Sequence, residues 1–165
     1  MKRFLITLSI LLTACVIDSC GPAKSVSYTH RPFSAEGCTV SYSIVRQENE
    51  LSIIATVKSD RLVFSAKPLM TLWNFRGDIM RIEGYNLQAR SESSGIIVSN
   101  IVIPITGVSA MASFPVPQEH ISFFQSGIQK VRLSTVPIVH EKTFSYDEIG
   151  EFLWTELNNA NSEQY

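Results

Sequence analysis

Hydrophobic and polar residues alternate along much of the chain after residue 38, which is the pattern of half-buried β-strands. In "TVSYSIV", Val40, Tyr42 and Ile44 alternate with serines. The polar turn "QENE" and a second alternating segment, "LSIIATVK", follow directly. The apolar residues on one face of that second segment are Leu51, Ile53, Ala55 and Val57. The two segments together predict a β-hairpin.

The middle of the chain predicts further strands. "RLVFSA" is a short one, and "LMTLWNF" and "IMRIEGYNLQAR" flank the turn "RGD", where Gly77 supplies the positive φ of a tight turn. After "SESSG" comes "IIVSNIVIPIT", in which Pro104 indicates an edge strand or a bulge because proline cannot donate a ladder hydrogen bond.

Two short helices are predicted towards the C-terminus. "PQEHISFFQSG" has Pro117 at its start and Gly127 at its end. After the alternating "IQKVRL", the segment "SYDEIGEFLWTELNN" combines a capping box, Ser145 and Glu148, with an apolar stripe. Short strands with regular turn signals and no βαβ alternation predict a mainly β domain. We expect an antiparallel β-sandwich or open barrel with one or two short helices, including a C-terminal amphipathic helix.

The first residues have the parts of an export signal. Lys2 and Arg3 precede an apolar run over residues 4–12, which is shorter than the roughly 20 residues of a membrane span. The run ends in Leu12-Thr13-Ala14-Cys15, which resembles the lipobox of bacterial lipoproteins. The resemblance implies a diacylglycerol on the Cys15 sulfur, cleavage before this cysteine and acylation of the new amine. The alternative is an ordinary secretory signal with an incidental cysteine.

The lipobox resemblance divides the chain into three parts. Residues 1–14 are a lipoprotein signal peptide, residues 15–37 are the lipid anchor and a flexible tether rich in Ser, Pro, Gly and Ala, and residues 38–165 form one domain. Several acyl chains on Cys15 hold a protein firmly on a membrane. The expected location is the bacterial cell envelope, and Val16 after the cysteine favours the outer membrane by the sorting rule of enterobacterial lipoproteins.

Cys20 and Cys38 remain once Cys15 is assigned to lipid. Outside the cytoplasm the two cysteines can form a disulfide, and a loop of this length stabilises a fold by roughly 3 kcal/mol in the chain-entropy model. Two unpaired thiols are the equally weighted alternative.

Composition and charge exclude some classes of function. The 165-residue chain has 14 basic and 15 acidic side chains and no basic run, so nucleic acid is not an expected partner. Its three histidines have no metal-ligand spacing, and phosphate loops and diagnostic carboxylate pairs are missing. We therefore predict no catalytic residues, no metal and no cofactor.

An aromatic group, Trp73, Phe75 and Tyr85, is the candidate binding surface. If Met70 and Leu72 face the core with Met80 and Ile82, then Thr71 and Trp73 lie on the opposite face with Arg81 and Glu83. An aromatic residue exposed there can contact a glycan or a partner protein. The interpretation that we favour is that the C-terminal helix covers this face and makes Trp73 an ordinary core residue.

The C-terminal segments "FPVPQEHISFFQSGIQKVRLSTVP" and "EKTFSYDEIGEFLWTEL" resemble the end of small Bacteroidetes envelope lipoproteins, which have no assigned activity. The resemblance implies an address and a fold. The leading functional hypothesis is a membrane-anchored, non-enzymatic binding module for an envelope protein or glycan. The second is a structural or accessory subunit of an envelope complex, and the third is a hydrolase of envelope polymers.

Overall fold

The computed structural model describes residues 24–30, 38–47, 50–98 and 101–162, with the backbone alone for residue 47 and residues 91–106. The predicted signal peptide, Cys15 and Cys20 lie outside these ranges, so the lipid anchor stays a prediction. The elements in chain order are β1 Ser25–His30, β2 Cys38–Gln47, β3 Glu50–Ser59, β4 Val63–Phe64, β5 Leu69–Asn74, β6 Ile79–Glu83, β7 Tyr85–Val98, β8 Ile101–Pro115, a 3-10 helix Gln118–Ser126, β9 Ile128–Leu133, β10 Thr135–Val136, β11 His140–Thr143 and α1 Gly150–Ser162.

The strands form two main antiparallel sheets. Sheet 1 has the order β1-β2-β3-β8-β7, sheet 2 has the order β11-β9-β5-β6, and β10 forms a short pair with β4. One cluster of buried apolar side chains joins the inner faces of both sheets. Neither sheet closes on itself within the described ranges. The predicted mainly β architecture is confirmed, in its sandwich form rather than as a barrel.

The predicted hairpin of β2 and β3 supplies much of the core. Val40 lies opposite Val57, and Tyr42 lies opposite Ala55. All four side chains are buried on the inner face of sheet 1. Because side chains alternate between the two faces of a strand, the serines between them point to the other face.

Strand β1 lies inside the segment that the sequence predicts to be a flexible tether. It pairs with β2 from Ser25 opposite Ser43 to His30 opposite Cys38, and it buries Tyr28, which is 7% exposed. This part of the predicted tether therefore belongs to the sheet. The alternation in "SVSYTH" is the signal for this strand, but it is short and proline and glycine lie on both sides.

The predicted strand over "IMRIEGYNLQAR" is two strands. The chain leaves sheet 2 after β6 and enters sheet 1 as β7, and Gly84 is the residue between them. A Cβ at this position would lie 2.6 Å from Cδ1 of Phe114 and would also overlap the carbonyl oxygen of Ser113. Since only glycine fits this close approach, Gly84 allows the crossing between the sheets.

Both predicted helices are present. The 3-10 helix follows Pro117 and ends at Gly127, which has φ 68°. Helix α1 buries Leu153 and Leu157 and packs against the 3-10 helix and against β2 and β3. Neither helix within the described ranges has the length and apolar character of a membrane span.

The N-terminus of α1 is capped by a residue other than the predicted pair of Ser145 and Glu148. Asp147 accepts hydrogen bonds from the backbone N–H of Gly150 at 2.6 Å and of Glu151 at 2.8 Å. A carboxylate at this end of a helix satisfies free N–H groups and complements the positive end of the helix dipole. The acidic residues before the helix correctly predicted its N-terminus, but the capping residue is Asp147.

The hairpin of β7 and β8 extends beyond sheet 1. Strand β8 pairs with β3 as far as Val108, whereas its pairing with β7 continues to Ile101 opposite Val98. The part beyond Val108 is a two-stranded ribbon, with both outer edges unpaired among the described residues. Glu92 lies opposite Gly107 at the base of this ribbon, and beyond this pair residues 93–106 include no charged residue.

Candidate functional site

Trp73 lies on the outer face of sheet 2. Its neighbours along β5 on the inner face, Met70 and Leu72, are fully buried, as predicted. Thr71 and Trp73 belong to the opposite face because side chains alternate along a strand. Trp73 is half-buried there.

Helix α1 does not cover Trp73. The helix packs against the 3-10 helix, β2 and β3, and the groove that Trp73 lines contains no residue of α1. The favoured interpretation of Trp73 as an ordinary core residue under the C-terminal helix is therefore wrong. The apolar stripe of α1 predicts a helix that packs on the core, but it does not say which sheet face receives it.

One row of side chains crosses this outer face from strand to strand. Arg132 of β9 and Arg81 of β6 lie on the two sides of Thr71 of β5, and Glu141 of β11 lies beyond Arg132. Adjacent strands are about 4.8 Å apart, so the two arginines start about 10 Å from each other. The Thr71 hydroxyl has no side-chain hydrogen bond and Arg81 has no ion pair with a described residue. The middle of the row therefore presents donors without acceptors.

The next row contains the indole. Nζ of Lys130 lies 4.8 Å from the centroid of the Trp73 ring and 2.8 Å from Oε1 of Glu141. The hydrogen bond from Lys130 is the main cause that lowers the pKa of Glu141. Oε2 of Glu141 is 3.9 Å from Nε of Arg132. The Glu141 carboxylate therefore partly neutralises Lys130 and Arg132, and it makes no ion pair with Arg81.

A groove of about 310 Å³ follows β5 along these two rows. Its lining contains two arginines and no acidic side chain, with apolar side chains at both ends. The residues that line it are Leu69, Thr71, Trp73, Arg81, Arg132, Ser134 and Val139. The groove is therefore a positively charged channel with an aromatic wall.

The turn after Trp73 is fixed by hydrogen bonds to Asn74. Asn74 is 1% exposed, and its Oδ1 accepts from the backbone N–H of Arg76 at 3.0 Å and of Asp78 at 2.8 Å. Gly77 has φ 90°, which confirms the predicted role of glycine in this turn. The pairing with β9 shifts register between Trp73 and Asn74. Such bulges redirect a side chain and are common beside functional sites.

Phe75 and Tyr85 lie apart from the groove. Phe75 is 42% exposed, and it lies against Gly127. Tyr85 is 45% exposed and begins β7 in sheet 1. Neither lines the groove. Of the three aromatic residues predicted to form one surface, only Trp73 lies in it.

A second group of polar side chains lies buried between sheet 1 and β11. The Tyr28 hydroxyl is 2.9 Å from Nε2 of His140 and 3.1 Å from the Tyr42 hydroxyl. On the other side of the imidazole, Nδ1 of His140 is 3.5 Å from Sγ of Cys38. The backbone N–H of His140 donates to Oγ1 of Thr135 at 2.8 Å. We call these residues the His140 cluster.

Burial keeps the His140 cluster neutral at pH 7. It is the main cause that lowers the pKa of His140 to about 4, and it raises the pKa values of Tyr28, Tyr42 and Cys38. A cysteine and a histidine act as a nucleophilic pair when the thiol is ionised and accessible. Cys38 is 3% exposed and His140 is 2% exposed. The arrangement therefore suits a structural hydrogen-bond network.

The candidate disulfide stays a prediction. Cys38 lies in the His140 cluster, and Cys20 lies outside the described residues.

Comparisons with known proteins return no match: no family model, no curated protein and no solved structure is similar to this chain. Within the described ranges, no group of three or more His, Cys, Asp or Glu side chains could hold a metal ion.

The predicted hairpin of β5 and β6 correctly places Thr71 and Arg81 on the face of Trp73, whereas the residues of β9 and β11 were not assigned to this face from the sequence. The alternation in "IQKVRL" already places Lys130 and Arg132 on one face of a strand. The missing information was that β9 pairs with β5, since this pairing brings both cations beside Trp73.

Proposed function

We propose that this protein is a component of the bacterial cell envelope, anchored by lipid to the outer membrane. We propose further that its β-sandwich is a non-enzymatic binding module. The lipobox-like sequence that ends in Cys15 supports the anchor. The observation that carries the binding function is the groove on sheet 2, which is lined by Trp73, Thr71 and Arg81. The ligand is a glycan or an envelope protein.

The shape of the groove supports binding. A site for a small ligand is concave, mostly apolar, and contains a few polar groups that fix orientation. Here the apolar part is the indole with Leu69 and Val139, and the polar part is the row of arginine and threonine donors. The bulge and the Asn74 turn preorganise Trp73 before a ligand arrives.

The anchor is tested by the substitution Cys15→Ala in a bacterial host. We expect the wild-type chain to fractionate with membranes and to carry the mass of the added acyl chains. The variant should lose both properties. Membrane fractionation and an unchanged mass in the variant would contradict the lipid assignment.

Binding at the groove is tested with the purified full chain in detergent on an array of neutral and acidic glycans. We expect binding that Trp73→Ala removes. Phe75→Ala, a change at an exposed aromatic outside the groove, should leave binding intact. No binding to any glycan, or equal binding by both variants, would contradict the proposal for this site.

A second candidate function is an accessory subunit of an envelope complex. The ribbon of β7 and β8 favours it, because beyond Glu92 it has no charged residue and its strands have no further partner among the described residues, and strand edges without charge tend to pair with other chains. The test is the size of the detergent-solubilised complex in wild type and in Val102→Lys. A complex that the variant disrupts supports this function, whereas a monomer in both contradicts it.

A further inference from the structure

The arrangement of hydrogen-bond donors in the groove indicates the chemical class of the ligand. We propose that the ligand is an acidic oligosaccharide: a chain of sugar rings that carries a carboxylate, sulfate or phosphate group. The anion would lie over Thr71, between Arg81 and Arg132, and a neighbouring ring would lie against Trp73. This inference rests on the proposed binding function of the same groove.

The row across the sheet determines the position of the anion. Arginine carries a planar fork of donors that matches carboxylate, sulfate and phosphate oxygens. Two arginines about 10 Å apart at their backbones can converge on one group between them. Thr71 lines the groove between the two arginines and is 6% exposed, and its hydroxyl has no hydrogen bond to a described side chain. An anion would give Arg81 a charged acceptor, whereas a neutral ligand would offer only hydroxyl or ring oxygens, which form weaker hydrogen bonds with a guanidinium.

The column along the strand determines what lies beside the anion. Thr71 and Trp73 are two positions apart on one face of β5, which is about 7 Å. This distance is on the scale of one sugar unit, so a ring linked to the acidic one reaches the indole. The C–H groups on the face of a pyranose ring pack on an aromatic face, and its hydroxyls remain in solvent. Lys130, held by Glu141, covers another part of the same indole.

The position of the groove disfavours an extended peptide. Peptides that join a β-sheet use a free strand edge, where backbone groups are unpaired. This groove lies on the outer face of β9, β5 and β6, where side chains and not backbone groups are presented; the edge of sheet 2 at β6, which is unpaired within the described ranges, points away from this face. A ligand bound here has to be recognised by side chains, which is how proteins usually bind saccharides.

The experiment is a calorimetric titration of the full chain in detergent with trigalacturonate and with its methyl ester. The two probes have the same rings, but the ester lacks the charges. We expect the acid to bind at least tenfold more tightly than the ester, because the interaction of a guanidinium with an anion is charge-assisted. A sulfated trisaccharide in a parallel titration distinguishes carboxylate from sulfate recognition, and binding of either one supports the proposal.

Substitutions test whether the difference in affinity between the acid and the ester arises in the groove. Arg81→Gln and Arg132→Gln should each weaken acid binding by about tenfold and leave ester binding nearly unchanged. Arg90→Gln, which removes an exposed arginine from β7 of sheet 1, is the matched control and should change neither. Trp73→Ala should weaken both probes.

Two outcomes would overturn the inference. Equal binding of acid and ester, with no effect of either arginine variant, would mean that the ligand is neutral. The proposed function would survive that result if Trp73→Ala still abolished binding. Equal or tighter binding of the acidic peptide Leu-Glu-Leu would show that the groove selects the anion and not the sugar.

Discussion

The His140 cluster and the groove beside Trp73 are both built from polar and aromatic side chains, but they differ in their surroundings. In the cluster, the Tyr28 hydroxyl, the His140 ring and the Cys38 thiol contact one another inside the protein. In the groove, Arg81 is exposed to solvent and Thr71, which is 6% exposed, lines the wall beside it. Polar groups that satisfy one another stabilise the fold, whereas donors left open can recognise a ligand.

Electrostatics separates the two regions further. Removal from water favours neutral forms, and it lowers the pKa of His140 to about 4. The outer face of sheet 2 carries Arg81, Lys130 and Arg132 together with the carboxylates Glu83 and Glu141, and it keeps these charges in contact with solvent. We therefore expect substitutions in the cluster to change stability and substitutions in the groove to change binding.

The largest effect is expected from His140→Ala. The substitution leaves the hydroxyl of Tyr28 and the thiol of Cys38 without their partner and opens a cavity, so we expect a loss of about 3–4 kcal/mol in the free energy of unfolding. Urea denaturation measures it. Glu141→Ala, at the exposed neighbouring position, should cost less than about 1 kcal/mol. Similar losses in both variants would mean that the cluster has no special role.

Acid should reproduce part of this loss in the unmodified protein. His140 takes up a proton near pH 6.5 when unfolded but only near pH 4 when folded. Its contribution is complete above pH 6.5 and is lost as the pH falls to about 4, by about 3 kcal/mol in total. Burial also lowers the pKa of His30, which acts in the same direction.

Urea midpoints at several values between pH 7 and 4.5 measure this dependence. The variant His140→Asn should show a much shallower decline over the same range, because it lacks the titrating ring. A wild-type stability that stays constant from pH 6.5 to 4.5 would show that His140 is not buried in its neutral form.

A smaller effect is expected from Tyr28→Phe. The ring stays, but Nε2 of His140 and the hydroxyl of Tyr42 lose a partner, so we expect about 2 kcal/mol of destabilisation. Tyr146→Phe is the matched control, since Tyr146 is 68% exposed, and it should have almost no effect. If the two variants melt alike, the buried hydroxyl contributes nothing to the network.

Local sequence patterns predicted much of the sandwich. Alternation identified β2 and β3 with the correct inward faces, because the period of two follows directly from strand geometry. Gly77 and Gly127 were recognised because a positive φ selects glycine. Strand β1 was missed because its alternation is short and proline and glycine surround it.

The site was less predictable than the fold, since it depends on which strands become neighbours. The predicted hairpin of β5 and β6 placed Trp73 and Arg81 on one face, as the structure has them. Arg132 becomes part of the same site only through the pairing of β9 with β5. Cys38 and His140 are 102 positions apart in the chain. Alternation says which face a residue occupies, but it does not say what faces it across the sheet.

The smallest change in stability is expected from the double variant Arg81→Gln and Arg132→Gln. Both side chains are exposed, and the two like charges flank the same threonine. Removing them should alter the free energy of unfolding by less than about 1 kcal/mol and could raise it slightly by relieving repulsion. Urea denaturation in the buffer of the ligand titrations measures this directly. A loss above about 2 kcal/mol would show that the guanidinium groups support the fold. The groove would then be a second structural network, and the distinction from the His140 cluster would fail.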